Sequence, residues 1–375
     1  MPKAKICFVL PSLAGGGAER VAVDILNALD PSQWDRAIYL FAREGPYLDA
    51  LDRTIRVASP AAISRAGRWL ALRRYLREER PQLIVSFLSY FSTVSAARAA
   101  GVGARVVFNQ GTPTTAFLAD RDYRWRHGWH RRVFSMATRI GYRLADAIVT
   151  TSKGVADDLV SSFGVPRDRI RIVHNPVDIT AIQAAAFEPL EPAHERVWSH
   201  PAIVAAGRLA DAKNYPLLIE AFSALRRTLP ARLFILGQGD REAQLRAQIG
   251  ALGLDGDVVL CGFQQNPWKY IARADVFAMS SAYEGFGNVL VEAMACGVPV
   301  VATSSPGSRE VVRDGHDGLI VERHEPAPLA EALARVLGDA PLRARLAAEA
   351  LKSAQRFALP VVVAEHDRVF REVLA

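Results

Sequence analysis

Continuous apolar runs of four to seven residues recur along the chain, separated by stretches whose apolar positions return every three or four residues. In the first half this pattern predicts strands at 5–11, 36–42, 55–59, 83–88, 105–110, 147–152 and 170–174. Helices are predicted between them at 17–29, 66–80, 92–100, 127–145 and 153–162. Runs such as Ala147-Ile148-Val149 do not alternate with polar residues, which marks strands of a parallel sheet covered on both faces. The pattern lapses after Val173, through His174-Asn175-Pro176-Val177-Asp178 and a polar, Ala- and Pro-rich stretch to Pro201. It restarts with strands at 202–207, 232–237, 258–262, 275–279, 298–302 and 318–321, and helices at 214–229, 240–251, 288–296 and 327–337. The tail, 341–374, is helical by composition. The expectation is an α/β protein of two Rossmann-like domains, 1–178 and 202–358, with a linker at 179–201 and a final helical segment at 359–375. Ligands of such sheets bind outside the carboxyl ends of the strands.

Composition narrows the class. A chain of 375 residues, 50 % hydrophobic and 23 % charged, suits a globular protein with two cores. It contains no apolar run of the roughly 18 residues that a membrane-spanning helix needs. Lys3 and Lys5 precede a short apolar run that Pro11 ends, and this reads as a buried first strand rather than a secretory leader. Cys7, Cys261 and Cys296 have neither disulfide-framework nor metal-ligand spacing, which fits free thiols in a reducing cytoplasm. The formal charge of +7 is uneven: residues 1–175 hold 26 Lys and Arg against 15 Asp and Glu, so the remainder is acidic. A basic half points to an anionic partner, either an anionic membrane or a phosphorylated substrate. No nucleic-acid-binding module is recognisable, so no nucleic-acid partner is expected.

Three segments carry candidate chemistry. Ser12 to Arg20, with Gly15, Gly16 and Gly17, leaves the first strand and opens a helix. Such a turn lets backbone N–H groups approach a phosphate, although a plain tight turn would look the same. It lacks both the dinucleotide fingerprint and the P-loop Gly-Lys-Ser/Thr. Gly207 to Asn214 places Arg208 and Lys213 on one strand-exit loop. There they could neutralise a departing diphosphate or could simply be solvated. In Glu284 to Pro299, Gly285 and Gly287 precede a helix beginning about Asn288, and the N–H groups of Asn288, Val289 and Leu290 suit a phosphate. Glu284 and Glu292 flank that site, where they could hold hydroxyls or could merely complement a dipole and face solvent.

At this point the sequence resembles a known family. EGFGNVLVEAMACGVPVVAT looks like the E-x(7)-E region of family-four retaining glycosyltransferases, GRLADAKNYPLLIEAF like their donor-phosphate segment, and LPSLAGGGAERV like their N-terminal glycine loop. The three occur in the family's order and the resemblance covers nearly the whole chain. It implies the GT-B fold, with two Rossmann-like domains facing across a cleft. The first would bind the acceptor and the second the nucleotide sugar, and the C-terminal helix would cross back to the first. Residue by residue it implies Arg208 and Lys213 on the diphosphate, Glu284 on the transferred sugar, Glu292 on the ribose, and Gly16 and Gly17 near the phosphates and acceptor. Gly262, Phe263 and Gln264 match the loop that holds the base. Many members carry a first-domain histidine where this chain has Asn109 or Gln110, amides that can hydrogen-bond a sugar but cannot act as a base.

Two basic segments remain. Arg65 to Arg80 is one. The other combines Arg121, Arg124, Arg126, Arg131 and Arg132 with Trp125 and Trp129, as in helices that lie on anionic bilayers. Asp120-Arg121-Asp122 is formally a D-x-D but does not end a strand, and the resemblance implies a metal-independent enzyme with no cofactor. The expected activity is that of a retaining hexosyl- or N-acetylhexosaminyltransferase at the cytoplasmic face of a membrane. It would use a nucleotide sugar, UDP favoured, and a lipid-linked or membrane-bound glycan acceptor. A hydrolysing nucleotide-sugar epimerase and a non-catalytic nucleotide-sugar-binding subunit are the rival readings.

Overall fold

The computed structural model describes residues 3–60, 64–119, 128–199 and 201–375. The side chains of Arg65, Phe117, Ala119 and residues 128–134 fall outside that description. The chain divides into two compact units, Met1–Pro176 with Leu359–Ala375, and Val177–Ala358.

Unit 1 is built on seven strands: β1 (Ala4–Leu10), β2 (Trp34–Leu40), β3 (Arg56–Ala58), β4 (Leu83–Phe87), β5 (Arg105–Gln110), β6 (Ala147–Thr150) and β7 (Ile170–Ile172). They form one parallel sheet in the order β3-β2-β1-β4-β5-β6-β7. Its crossover helices are α1 (Gly17–Ala28), α2 (Arg65–Glu79), α3 (Tyr90–Ala100), α4 (Thr114–Ala119), α5 (Gly128–Leu144) and α6 (Lys153–Phe163). Because successive side chains of a strand point to opposite faces, the continuous apolar runs feed two cores at once. In β1, Ile6, Phe8 and Leu10 join one core while Cys7 and Val9 join the other.

Unit 2 begins with α7 (Ile179–Ala185) and α8 (Pro192–Val197). It continues through β8 (Ala202–Ala206), α9 (Tyr215–Arg226), β9 (Arg232–Leu236), α10 (Glu242–Ala251), β10 (Val258–Gly262), α11 (Trp268–Ile271), β11 (Val276–Met279), α12 (Asn288–Ala295), β12 (Val300–Thr303), α13 (Pro306–Val311), β13 (Leu319–Val321), α14 (Pro326–Gly338) and α15 (Ala340–Ala354). Its sheet is parallel in the order β10-β9-β8-β11-β12-β13. In both units the strand order reverses beside the first strand, at β1/β4 and at β8/β11. These are the switch points at which open α/β sheets bind ligands.

The expected linker at 179–201 does not exist as such. α7 and α8 occupy most of it, and Ile179, Ile182 and Leu190 are buried in the core of unit 2. Asp178 caps α7 by accepting a hydrogen bond from the Ala181 N–H at 2.9 Å. Polar and Ala-rich composition suggested a connector, but three apolar side chains at core positions fix the segment as part of the domain. The last helix, α16 (Leu359–Leu374), packs in the core of unit 1 through Val362, Val363, Val369 and Phe370. Val177, where unit 2 begins, is bridged to Ala358, where it ends.

His366 lies inside unit 1 on α16, 1 % exposed. Its Nδ1 is 3.1 Å from the Val362 carbonyl oxygen, which can only accept, so Nδ1 carries the proton. Nε2 is then the acceptor for the Asn109 side-chain amide at 3.4 Å. Burial holds the imidazole neutral and lowers its pKa from 6.5 to about 4.

Candidate functional site

The strand-exit loops of unit 2 converge at the β8/β11 switch point. Gly207 follows β8 with φ 147°, a value that suits only glycine, and a Cβ there would lie 3.0 Å from Lys213 Cε and 3.3 Å from the Tyr215 hydroxyl. The lysine stem and the tyrosine therefore fill the place a larger residue would take. Tyr215 is buried and donates to the Gly207 carbonyl at 3.2 Å. Its pKa is raised, first by burial and then by the negative charge of Glu284, so it remains a neutral donor.

The loop after β11 docks on the loop after β8. Ser280 Oγ donates to the Lys213 carbonyl at 2.8 Å, and the Ala282 N–H donates to the Ala212 carbonyl at 2.8 Å. This brings Glu284 to Lys213: Nζ and Oε2 are 2.5 Å apart, with the two side chains 21 % and 22 % exposed. The Glu284 carbonyl accepts from the Gly307 N–H at 3.0 Å. Glu284 is outside the helix rather than in its first turn. The helix α12 starts at Asn288 after Gly287, whose φ is 89° and which offers no capping side chain; the Leu290 N–H donates to the Gly287 carbonyl at 2.9 Å, and the Asn288 and Val289 N–H groups precede it at the N-terminus. Glu292, one turn in, accepts from Trp268 Nε1 at 3.0 Å.

Arg208 is exposed, and among the described residues its guanidinium has no hydrogen-bond or ion-pair partner. Gly262 has φ 69°, and Gln264 Nε2 donates to the Cys261 carbonyl at 2.7 Å, closing the turn that leaves Phe263 67 % exposed. The unit 2 residues singled out from the sequence thus lie at a strand end, on strand-exit loops or in α12, at the carboxyl edge of one sheet.

In unit 1 the glycine loop follows β1. Gly16 is the N-cap of α1 and Gly17 its first residue. Gly16 has an extended φ of −79°, and the nearest atom to a Cβ there would be Glu19 Oε2, at 2.3 Å, the end of a flexible side chain that can move aside. Asn109 and Gln110 end β5, 5 % and 7 % exposed, and strand alternation sends them to opposite faces. The Asn109 amide meets His366, while Gln110 donates to the Thr112 carbonyl at 2.6 Å and accepts from the Tyr142 hydroxyl at 3.3 Å. Both are buried and have partners inside unit 1.

Two family models match the chain, Glycosyltransferase Family 4 over residues 15–181 and Glycosyl transferases group 1 over residues 191–353. The chain belongs to the family-four glycosyltransferases. A Campylobacter jejuni N-acetylgalactosamine-N,N'-diacetylbacillosaminyl-diphospho-undecaprenol 4-alpha-N-acetylgalactosaminyltransferase is 34 % identical over 249 residues, 66 % of this chain and 64 % of that protein. A second C. jejuni protein, a GalNAc-alpha-(1->4)-GalNAc-alpha-(1->3)-diNAcBac-PP-undecaprenol alpha-1,4-N-acetyl-D-galactosaminyltransferase, is 25 % identical over 98 % of this chain and 99 % of that one. The chain spans less than two thirds of the first curated relatives it matches, 64 % and 61 % of their lengths. Anabaena HepE, solved in complex with UDP, superposes with a TM-score of 0.81 at 22 % identity over 98 % of this chain and 100 % of that one, which shows a shared GT-B fold.

Within this family-four chain, sequence reasoning missed several supports of this edge of unit 2. Gly237 follows β9 with φ 140°, and a Cβ there would fall 2.0 Å from the Gly207 carbonyl oxygen; one on Gly239 would fall 2.4 Å from that of Leu209. The Gly-x-Gly at a strand exit was a visible signal. Gly307 is another: its Cβ would meet the Phe286 nitrogen at 2.6 Å. Tyr215, Ser280 and Trp268 carried no motif of their own.

The basic charge of unit 1 also has a structural use. Arg73 and Arg77 donate to the Ala99 and Ala100 carbonyls at the end of α3, Arg98 to Leu144 at the end of α5, and Arg139 to Ser162 at the end of α6. Arg36, 4 % exposed, donates to the Leu26, Asn27 and Leu29 carbonyls at the end of α1. Helix C-termini leave carbonyls unsatisfied and carry partial negative charge, so arginines satisfy both demands. In the Arg65 to Arg80 segment, Arg73 and Arg77 are therefore engaged by helix ends. Arg121, Arg124, Trp125, Arg126 and the pair Asp120 and Asp122 lie outside the described residues, as do the side chains of Trp129, Arg131 and Arg132.

Proposed function

We propose that this chain is a retaining glycosyltransferase that moves a hexosyl or N-acetylhexosaminyl group from a nucleoside diphosphate sugar, UDP favoured, to a lipid-linked or other membrane-bound glycan. The observation that carries the reading is the convergence of Lys213 and Glu284, 2.5 Å apart, on neighbouring loops at the switch point of unit 2. The curated names of the two C. jejuni relatives, which act on undecaprenol-linked glycans, and the UDP complex of HepE support the acceptor and donor classes.

In this reading Arg208 and Lys213 hold the diphosphate, together with the N–H groups that open α12, and Glu284 accepts a hydrogen bond from a hydroxyl of the transferred sugar. Glu292 holds the ribose, and the backbone of Gly262 to Gln264 holds the base. The bond between the anomeric carbon and the phosphate oxygen breaks as the acceptor oxygen bonds on the same face. The acceptor's proton passes to the departing phosphate, because the buried amides of Asn109 and Gln110 are not bases. Charge on the leaving group is met by Arg208 and Lys213, and no metal is required.

No helix among the described residues is long and apolar enough to cross a membrane. We assign the enzyme to the inner membrane surface as a peripheral protein. Met136, Ile140 and Leu144, spaced four apart on α5, are 62 %, 45 % and 39 % exposed, and such a stripe suits an interfacial helix.

The test is turnover with a nucleotide sugar and a polyprenyl-diphosphate glycan. Arg208→Ala and Lys213→Ala should each lower turnover about a hundredfold or more, since the charge is needed most as the diphosphate departs. Normal turnover in both variants would remove the donor-site assignment. Anomeric assignment of the product by NMR should show retention, and inversion would refute that part of the mechanism. Release of free nucleotide without acceptor would favour the epimerase.

A further inference from the structure

Lys213 Nζ and Glu284 Oε2 contact each other at 2.5 Å, yet the proposed chemistry gives each a different part of the donor. The ammonium is to hold the diphosphate, and the carboxylate is to hold the sugar. A single ammonium has three donors, and one of them is directed at Glu284 Oε2 at 2.5 Å. The lysine stem lies against Gly207, where a Cβ would come within 3.0 Å of its Cε. A carboxylate so close to the cation must compete with any phosphate oxygen that approaches the same nitrogen.

We propose that Glu284 has a second role besides contacting the sugar: it competes with the nucleoside diphosphate product for Lys213 and so promotes its release. This inference rests on the donor site proposed above. While the sugar is attached, its hydroxyl occupies the Glu284 carboxylate, and the diphosphate takes the ammonium. Transfer breaks the bond that held sugar and diphosphate together. Once the sugar leaves with the acceptor, the carboxylate loses its hydroxyl partner and returns to Lys213. The diphosphate is then opposed by a carboxylate that the intact donor had engaged. The site thereby discriminates against its own product by chemistry already present in two side chains, with no domain motion invoked.

The experiment is calorimetric titration of UDP and the other nucleoside diphosphates into the full chain and three variants: Glu284→Gln, Lys213→Met and the double variant. Gln keeps the shape of Glu at a position 22 % exposed, and thermal unfolding verifies that each variant is folded. Glu284→Gln should bind the preferred diphosphate about tenfold more tightly, the equivalent of about 1.4 kcal/mol. Its turnover should nevertheless fall, and its product inhibition should strengthen by a similar factor. In the Lys213→Met background the same Glu→Gln change should bring less than about a twofold gain, because the contested cation is gone. An equal gain in both backgrounds would mean general repulsion of the anion and would overturn the exchange. So would equal or weaker diphosphate binding by Glu284→Gln. If Glu284→Gln proves unfolded, Glu284→Ala is read by the same criteria. Absence of nucleoside diphosphate binding in the unmodified protein is a separate result: it defeats the donor-site reading itself and the exchange with it.

Discussion

Acidification should weaken unit 1 through one side chain. His366 is neutral inside the core, its pKa lowered from 6.5 to about 4 by burial. In the unfolded chain it takes up a proton near 6.5, whereas in the folded chain it resists protonation until about 4. The unfolded state therefore binds more protons in that interval, and stability falls as pH falls. The contribution is fully present above pH 6.5 and is progressively lost down to about 4. Linkage gives a total of about 3 kcal/mol, of which about 2 kcal/mol is gone by pH 5. That is large against a net stability of roughly 5–15 kcal/mol. Two measurements check it. The imidazole proton resonance of His366, assigned by its loss in His366→Leu, should titrate near pH 4, or not at all before the protein unfolds. Urea denaturation at pH 7 and pH 5 should show unit 1 of His366→Leu losing about 2 kcal/mol less on acidification than the unmodified chain. The variant should also be less stable at pH 7, because the Asn109 amide loses its partner. A His366 resonance titrating near 6.5, or identical pH dependence in the two proteins, would refute the reasoning.

Two further outcomes test the donor edge. Gly237→Ala would place a Cβ 2.0 Å from a backbone oxygen at a φ that L-residues rarely adopt, so unit 2 should lose at least about 2–3 kcal/mol in chemical denaturation; an unchanged midpoint would show that the β8 and β9 exit loops can part freely. Trp268→Phe removes the donor to Glu292 and should weaken nucleotide binding about two- to tenfold with little effect on turnover at saturation, measured as a change in KM against kcat; a fall in kcat alone would argue against Glu292 as a nucleoside contact.

The local chemistry of the chain determined most of its elements. Parallel strands shielded on both faces must be apolar throughout, so runs such as Ala147-Ile148-Val149 were legible without a partner in view, and β5 was expected over the residues it occupies. Glycines at strand exits, followed by helical periodicity, likewise marked the loops where the candidate donor residues sit. The segment 179–201 was misread because its helices are only seven and six residues long, and among its described residues Ile179 and Ile182 are the only core positions at helical spacing. Tertiary structure alone decided what those residues touch. The ion pair of Lys213 and Glu284 joins positions 71 residues apart, and it forms because β8 and β11 are neighbours across the point where strand order reverses. The burial of Asn109 against His366 spans 257 residues and depends on α16 returning to the first unit. The arginines of unit 1 pointed from composition to an anionic partner, yet several cap helix ends supplied by other segments. Periodicity is a property of neighbours in the chain, and a single sequence carries it. Partnership between distant side chains is set by strand order and loop geometry, which only the folded chain provides.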